Sequence, residues 1–218
     1  MKNKVAIIDF ELGNLYSVQQ ACKHVGLDAV ISSNIEEIRN KDAIILPGVG
    51  AFGDAMENLI KLNLIDIIKE FVVSGKQFMG ICLGFQLLFS ESEEFGIFKG
   101  LGLVEGKVKK FPKINQNGEL IRVPQIGWNR IISNSINGNW ENSLLKKINS
   151  NEYMYFVHSF YVEPKDEKVI LTKTNYMGIE YCSSICVENI FASQFHPEKS
   201  GTEGIKVYEE FAKKIKEY

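Results

Sequence analysis

The order of strands and helices in the first 90 residues is the feature that most constrains how this chain folds. Short runs rich in β-branched residues alternate with segments of helical period, such as Leu15, Val18, Cys22 and Val25, which share one helix face. The runs predicted as strands are residues 5–9, 29–32, 42–46 and 77–81. A chain that alternates strands with helices builds a parallel sheet covered by helices on both faces, so we predict an α/β fold.

Two more helices are predicted in this half. Asp54 is a candidate N-cap for a helix that runs to about Ser74 and is closed by Gly75. Another helix opens at Leu83 and continues toward Phe89. Both follow predicted strands, as helices that cover a parallel sheet should.

The second half of the chain no longer alternates strands with helices. Its predicted strands follow one another through short turns, which favours an antiparallel or mixed extension of the sheet. These strands are residues 103–111, 153–162, 169–173, 178–182, 185–187 and 190–194. A last helix starts at about Glu203 and carries Ile205, Tyr208, Phe211 and Ile215. Without internal repeats or a linker, we expect one domain over residues 1–218.

Charge and apolar content exclude several classes of protein. The chain has 25 Lys+Arg and 27 Asp+Glu, hence a net charge of −2, which excludes a nucleic-acid-binding protein that relies on bulk positive charge. It has no run of about 18 apolar residues, and the apolar run after Lys4 is too short for a signal peptide. We therefore expect no membrane contact and a cytoplasmic location. The cysteines are then expected to be thiols rather than disulfides. They are Cys22, Cys82, Cys182 and Cys186.

The segment Gly80-Ile-Cys82-Leu-Gly84 lies at the junction between a predicted strand and the helix that follows it. Small residues on both sides allow the tight turn that lifts the central side chain above the sheet edge, as in a G-x-S-x-G nucleophile elbow. The start of a helix favours a thiolate, and its free N–H groups face a developing oxyanion. A cysteine taken alone is more often a buried core residue, but the two glycines favour a nucleophile here.

A thiol nucleophile needs a base, and the chain has three histidines. His24 falls on the predicted first helix, whose face runs from Leu15 to Val25, beside Lys23, which favours a solvated or capping role. His196 directly follows a predicted strand, in His196-Pro-Glu198, where the proline favours extended geometry and a short path to the carboxylate. A carboxylate on the far ring nitrogen sets the tautomer and stabilises the imidazolium.

These motifs carry a resemblance to a known family. The segment Gly80-Ile-Cys82-Leu-Gly84-Phe-Gln86 and the segment His196-Pro-Glu198 together resemble those that carry the Cys-His-Glu triad of class I glutamine amidotransferases. Within that family, the chain is most similar to glutaminase subunits of imidazole glycerol phosphate synthases. The motifs that carry this narrower resemblance are Leu46-Pro-Gly48-Val-Gly50-Ala-Phe52-Gly53, Val123-Pro-Gln-Ile-Gly127-Trp128-Asn129, Tyr155-Phe-Val-His158-Ser159-Phe160 and His196-Pro-Glu-Lys199-Ser200-Gly201. They span nearly the whole chain.

The resemblance implies a set of catalytic roles. Cys82 would attack the carboxamide of L-glutamine, His196 would take the thiol proton and pass it to the leaving ammonia, and Glu198 would hold His196. Peptide N–H groups near Val49 or Gly50 would join that of Leu83 in an oxyanion hole.

The resemblance also implies a substrate site. It places the α-amino and α-carboxylate groups of glutamine among residues of several separate segments. These residues are Gly48, Gln86, His158, Ser159 and Phe160. By itself, the position of Gln86 suits a helix surface residue equally well, and glycines such as Gly48 suit a plain turn.

Other matching residues point to a protein partner. The resemblance places Trp128, Tyr155, Lys199 and Asn14 toward the interface through which ammonia passes to a (β/α)8-barrel cyclase. The two aromatic residues suit a core equally well, and Lys199 suits a solvated loop. No cofactor is implied. No metal is expected either, because Cys182 and Cys186 have no further cysteine nearby, and we place them in a hairpin.

One position departs from the family pattern. Where the family has glycine after an aromatic residue in the first loop, this chain has Glu11. The leading hypothesis is a glutaminase that supplies the cyclase that makes imidazole glycerol phosphate and aminoimidazole carboxamide ribotide in histidine biosynthesis. One alternative is the same chemistry for a paralogous synthase that aminates or amidinates a nucleotide-linked or surface sugar. Two others are a non-catalytic scaffold and a Cys-dependent peptidase or thiol hydrolase of similar fold.

Overall fold

The computed structural model describes residues 3–134 and 139–217. The helices are α1 (Leu15–His24), α2 (Ile35–Arg39), α3 (Phe52–Lys61), α4 (Leu64–Val73), α5 (Leu83–Gln86) and α6 (Gly201–Glu217). Single turns of 3-10 helix cover Asn139–Asn142, Glu167–Val169 and Pro197–Lys199. None of the helices in these two ranges is both long enough and apolar enough to span a lipid bilayer.

The strands alternate with these helices in the first half and follow one another in the second. They are β1 (Lys4–Ile8), β2 (Asp28–Ser32), β3 (Ala43–Leu46), β4 (Gln77–Ile81), β5 (Phe89–Ser92), β6 (Phe98–Lys99), β7 (Val104–Lys110), β8 (Gln125–Arg130), β9 (Ile132–Ser133), β10 (Tyr153–His158), β11 (Phe160–Pro164), β12 (Ile170–Tyr176), β13 (Ile179–Val187) and β14 (Ile190–Ser193).

A central sheet of twelve strands has the order β2-β1-β3-β4-β14-β13-β11-β7-β5-β6, with β12 paired to β13 and β9. The first five strands of this order run parallel to one another. From β14 onward, β13, β11 and β7 pair antiparallel, and a separate antiparallel pair joins β8 to β10. The predicted mostly parallel α/β sheet with an antiparallel extension is confirmed.

The apolar core occupies both faces of the sheet. Because successive side chains of a strand point to opposite faces, Ala6 and Ile8 of β1 pack on one side while Val5 and Ile7 pack on the other. Helices α3 and α4 cover the first side, and α1 and α6 cover the second. Residues 47–50, 82–86 and 194–198 directly follow β3, β4 and β14. They therefore lie at the carboxyl ends of parallel strands, where ligands bind in open α/β sheets.

The helix predicted over residues 54–74 is wrong in its bounds, because the structure has two helices there. The first begins at Phe52 after Ala51, so Asp54 lies inside the first turn rather than at the N-cap. Asn63 adopts a left-handed conformation with φ 55°, which ends α3 and starts α4. Asparagine tolerates this conformation better than most residues, and apolar periodicity alone does not reveal such a break.

Three other predicted elements differ in extent. The helix after Cys82 ends at Gln86 and gives way to β5. The predicted strand over residues 153–162 bends at Ser159 into β10 and β11, which belong to different sheets. Residues 179–187 form one continuous strand, β13, and the turn that precedes it lies at Met177 and Gly178.

Candidate active site

Cys82 occupies a strained turn between β4 and α5. Its backbone has φ 56° and ψ −108°, a region that residues with a side chain rarely adopt. The turn is held because the Cys82 N–H donates to the Ser193 carbonyl at 2.8 Å. A Cβ atom at Gly84 would lie 1.8 Å from the Leu46 carbonyl oxygen, so only glycine allows the elbow to approach β3 this closely.

The chain that leaves β14 brings His196 to the same sheet edge. β14 pairs with β4 in parallel, so the segments that follow both strands meet although they are far apart in sequence. His196 Nδ1 lies 2.8 Å from Glu198 Oε1, and the two side chains are 3% and 2% exposed. The His196 N–H donates to the Tyr155 carbonyl at 2.9 Å, which ties this turn to β10.

The electrostatics of this pair favour a charged imidazole. Burial lowers the pKa of His196, but the negative charge of Cys82 and the hydrogen bond and charge of Glu198 outweigh it and raise that pKa well above its ordinary value. An imidazolium beside a thiolate is the protonation state that a cysteine nucleophile needs before it attacks.

The segment that follows β3 passes directly over the start of α5. The Leu83 N–H donates to the Gly48 carbonyl oxygen at 3.3 Å, so a predicted oxyanion donor is paired with the neighbouring backbone. Gly50 has φ 120°, which suits glycine alone. The first loop packs on this segment, because a Cβ at Gly48 would meet the Phe10 ring at 2.9 Å and one at Gly50 would meet Leu12 at 3.7 Å.

A cavity of about 250 Å³ opens beside the Cys82 side chain. It brings together most of the residues predicted to bind substrate or to form the oxyanion hole. The lining residues are Val49, Gly50, Cys82, Leu83, Gln86, Glu94, Pro124, Val157, His158, Ser159 and Phe160. Gly48 is buried and is not among the lining residues. The cavity has room for about eight waters, hence for a small polar molecule.

Glu94 is a residue of this cavity that the sequence analysis missed. Its side chain accepts a hydrogen bond from the Phe52 N–H at 2.8 Å, so it caps α3, and burial raises its pKa. It comes from the loop after β5 and is 8% exposed. The sequence offers only a weak signal, since Glu94 stands among other acidic residues in Glu91-Ser-Glu93-Glu94.

Gln86 and His158 are buried and already have protein partners. Gln86 Nε2 donates to the Phe160 carbonyl at 3.0 Å and to Gln194 Oε1 at 2.9 Å, so it is not a surface residue. His158 Nδ1 lies 2.8 Å from the same carbonyl, and its Nε2 lies 3.2 Å from the Tyr181 hydroxyl. Burial lowers the pKa of His158 to about 4, so its ring is neutral at physiological pH.

Three of the four residues predicted to face a partner form a row that leads outward from the triad. Trp128 and Tyr155 are opposite each other on β8 and β10, with ring centroids 6.1 Å apart. The Tyr155 ring lies 6.5 Å from that of His196 and 5.9 Å from Lys199 Nζ. Trp128 is 55% exposed and is therefore not a core residue. Asn14 is exposed at the start of α1, where its side chain accepts from the Ser17 N–H.

The remaining cysteines do not line the cavity beside Cys82. Cys182 and Cys186 are on β13, which forms a hairpin with β14, and both are free thiols, as are Cys22 and Cys82. Within residues 3–134 and 139–217, no group of three or more His, Cys, Asp or Glu side chains is placed to hold a metal ion.

Similarity to solved structures supports the fold. A chain of PurLQS from Thermotoga maritima superposes with a TM-score of 0.73 at 19% identity, covering 98% of this chain and 99% of that one. The glutaminase domain of a Trypanosoma brucei CTPS with bound acivicin gives a TM-score of 0.68 at 16% identity, covering 99% and 94%. At these identities the likeness concerns the fold alone.

Sequence comparisons are more specific. The chain is 44% identical over 209 residues to imidazole glycerol phosphate synthase subunit HisH 1 of Legionella pneumophila (strain Lens), covering 96% of this chain and 98% of the relative. It is 43% identical to the HisH subunit of Aquifex aeolicus, covering 97% of each, and 42% identical to that of Bacillus subtilis, covering 96% and 95%. The family model described as glutamine amidotransferase class-I matches residues 6–215. With the elbow, the buried histidine–glutamate pair and this match over nearly its whole length, the chain belongs to the class I glutamine amidotransferase family.

Proposed function

We propose that this chain is the glutaminase subunit of an imidazole glycerol phosphate synthase. It hydrolyses L-glutamine to glutamate and ammonia and passes the ammonia to a (β/α)8-barrel cyclase. The cyclase makes imidazole glycerol phosphate and aminoimidazole carboxamide ribotide in histidine biosynthesis. The observation that carries the chemistry is the buried His196–Glu198 pair beside the strained Cys82 elbow, whose cysteine lines a cavity of substrate size. The identity of 42–44% to subunits of that name supports the pathway.

Catalysis follows from the protonation states at the elbow. The Cys82 thiolate attacks the carboxamide carbon of glutamine, and the π electrons of the carbonyl move to its oxygen. As the tetrahedral species collapses, the C–N bond breaks and His196 gives its proton to the leaving nitrogen, which departs as ammonia. Water then attacks the thioester, gives a proton to His196, and releases glutamate and the thiolate. Glu198 keeps His196 Nδ1 protonated throughout.

Glutamine binding uses the cavity wall. The Glu94 carboxylate is the buried negative charge in the lining and would pair with the α-ammonium group of glutamine. Both N–H bonds of Gln86 are used within the protein, so its Oε1 is the atom left to accept from substrate. His158 would act through the backbone of residues 157–160, which it holds, because both of its ring nitrogens have partners.

Formation of the oxyanion hole requires movement of residues 47–50. The Leu83 N–H must leave the Gly48 carbonyl before it can bind an oxyanion, and Val49 or Gly50 would supply the second donor. The first loop, residues 9–14 between β1 and α1, packs on Gly48 and Gly50 through Phe10 and Leu12. The same loop contains Glu11 and Asn14. A partner that contacts that loop can therefore bias the position of the segment.

The partner surface of the proposal is the row of Trp128, Tyr155 and Lys199, together with Asn14. It begins at His196, where ammonia is released, and ends at an exposed indole ring. We also propose that residues 1–218 form one domain and that the reaction takes place in the cytoplasm. Four free thiols are typical of a reducing compartment.

The experiment that tests this function combines the purified chain with a histidine-pathway cyclase. The acceptor is N-(5′-phosphoribulosyl)-formimino-aminoimidazole carboxamide ribotide, and glutamine is compared with free ammonia as the nitrogen source. We expect glutamine to replace ammonia with the wild-type chain but not with Cys82→Ala, while ammonia-dependent synthesis continues in both. Failure of glutamine with the wild-type chain, with full activity on ammonia, would reject this pathway in favour of another acceptor, such as a sugar.

A further inference from the structure

The side-chain amide of Gln194 lies against the sulfur of the nucleophile. Gln194 Nε2 is 3.6 Å from Cys82 Sγ, and the residue is completely buried directly after β14. Its own N–H donates to the Ser183 carbonyl at 2.9 Å, which holds the backbone in place. The mechanism above gives this amide no role.

The neighbours of Gln194 determine which end of its amide faces the sulfur. The Phe160 carbonyl oxygen can only accept, so the amide of Gln86 must turn its Nε2 toward it, at 3.0 Å. The same Nε2 lies 2.9 Å from the Gln194 amide, which must therefore present Oε1 to Gln86. Gln194 Nε2 is then directed at Cys82, and it is a donor.

The sulfur lies between a donor and an acceptor. On the other side, Cys82 Sγ is 3.9 Å from the Val157 carbonyl oxygen, which can accept a hydrogen bond from a thiol but repels a thiolate. The Gln194 amide is thus the uncharged donor that favours the ionised sulfur. The titratable groups around this sulfur are His196 after β14, His158 on β10 and Glu94 after β5.

We propose that Gln194 donates a hydrogen bond to the Cys82 thiolate and that Gln86 orients the Gln194 amide for this task. The inference rests on the proposed function and adds a residue to it. The sulfur is negatively charged before it attacks glutamine and again when it leaves the thioester, so the donor acts at both ends of the reaction. Hydrogen bonds to charged acceptors are about twice as strong as those between neutral groups.

The test measures the sulfur itself rather than glutamine turnover. The rate at which iodoacetamide alkylates Cys82 is followed against pH by mass spectrometry of the Cys82 peptide, in wild type and in Gln194→Met, which keeps the side-chain length without the donor. We expect the inflection to move up by about one pH unit, so that the rate at pH values below the wild-type inflection falls about tenfold. Glutamine hydrolysis falls in parallel.

Gln19→Met is the matched control, since Gln19 lies on α1, donates through Nε2 to the Ala29 carbonyl of β2 and does not line the cavity beside Cys82. It should leave the alkylation profile as in wild type. A Gln194→Met profile that superimposes on the wild-type one overturns the role of Gln194. That result leaves the proposed function intact, which is judged instead by glutamine-dependent synthesis with Cys82→Ala.

A second measurement covers the case in which Gln194→Met does not fold, as judged by thermal unfolding. In ¹⁵N-labelled wild-type chain, the side-chain amide resonances of Gln194 should shift with the midpoint found for Cys82 alkylation, and alkylation should abolish that shift. Amide resonances that do not change across this pH range overturn the proposal.

Discussion

The Leu83 N–H donates to the Gly48 carbonyl oxygen at 3.3 Å, so the backbone that should stabilise an oxyanion is paired with itself. Under the proposed function, this arrangement is the resting state. The donor becomes free only when residues 47–50 shift, and Gly50, at φ 120°, gives this segment rotational freedom that other residues lack. The first loop, which packs on Gly48 and Gly50, is placed to transmit contact with a partner.

Glutamine hydrolysis by the isolated chain is therefore expected to be slow and to rise strongly when the cyclase and its acceptor bind. A hundredfold rise requires that they favour the rearranged segment by about 2.7 kcal/mol. The measurement is the rate of glutamate release with and without partner and acceptor. A chain that hydrolyses glutamine at its full rate alone, regardless of any partner, contradicts this prediction.

Glu94→Gln should weaken glutamine binding, because it removes the buried charge that faces the α-ammonium group. We expect kcat/KM to fall tenfold to a hundredfold, mainly through KM, which corresponds to roughly 1.5–3 kcal/mol for a charged hydrogen bond. The neighbouring Glu93→Gln is the control, since Glu93 is exposed. A glutamine analogue without the α-amino group should bind wild type and Glu94→Gln equally. If the variant discriminates against this analogue as well, Glu94 does not bind the ammonium group.

His158 should make the chain less stable as the pH falls. Its folded-state pKa of about 4 lies below the ordinary value of 6.5, so the unfolded state binds the proton more tightly. Its contribution is complete above pH 6.5 and is lost as the pH falls toward 4. Between pH 7 and 5 the free energy of unfolding should drop by about 2 kcal/mol.

The measurement for His158 is urea unfolding at several pH values in wild type and in His158→Gln, which does not titrate. His196 has the opposite sign, because its raised pKa gives stability below the unfolded-state value that is lost as the pH rises. It is present in both proteins, so the difference between the two slopes reports His158. Equal slopes would show that folding does not lower the pKa of His158.

Glu11→Gly tests the departure in the first loop. Glu11 has φ 68°, where glycine is favoured, and its carboxylate lies 3.4 Å from Lys61 Nζ on the surface of α3. We expect the variant to change the free energy of unfolding by less than about 1 kcal/mol and to keep glutamine-dependent synthesis within a few-fold, since exposed pairs contribute little.

Lys61→Ala is the control, because it removes the same ion pair without changing the loop backbone. Titration of the cyclase against each variant measures partner affinity. Loss of affinity in Glu11→Gly but not in Lys61→Ala, by the roughly 0.5–3 kcal/mol typical of an interface ion pair, would mean that Glu11 contacts the partner.

Local patterns were sufficient for much of the fold and for the reacting groups. The alternation of strands and helices up to β4 and the Gly-x-Cys-x-Gly elbow each depend on a few neighbouring residues. So does the path from His196 to Glu198, because only one proline, with its two peptide bonds, separates these residues. Such features survive in any context that buries the strands, so periodicity and turn residues predict them.

Tertiary structure decided which residues distant in sequence come into contact. The pairing of β14 with β4 brings Gln194 to Cys82, and the loop after β5 brings Glu94 to the N–H of Phe52. These contacts depend on strand order and on burial, which pairs each isolated polar group with whatever partner the closed core supplies. The left-handed turn at Asn63 likewise divides a continuous apolar pattern into α3 and α4. No local period records these choices, because their free energy comes from residues distant in sequence.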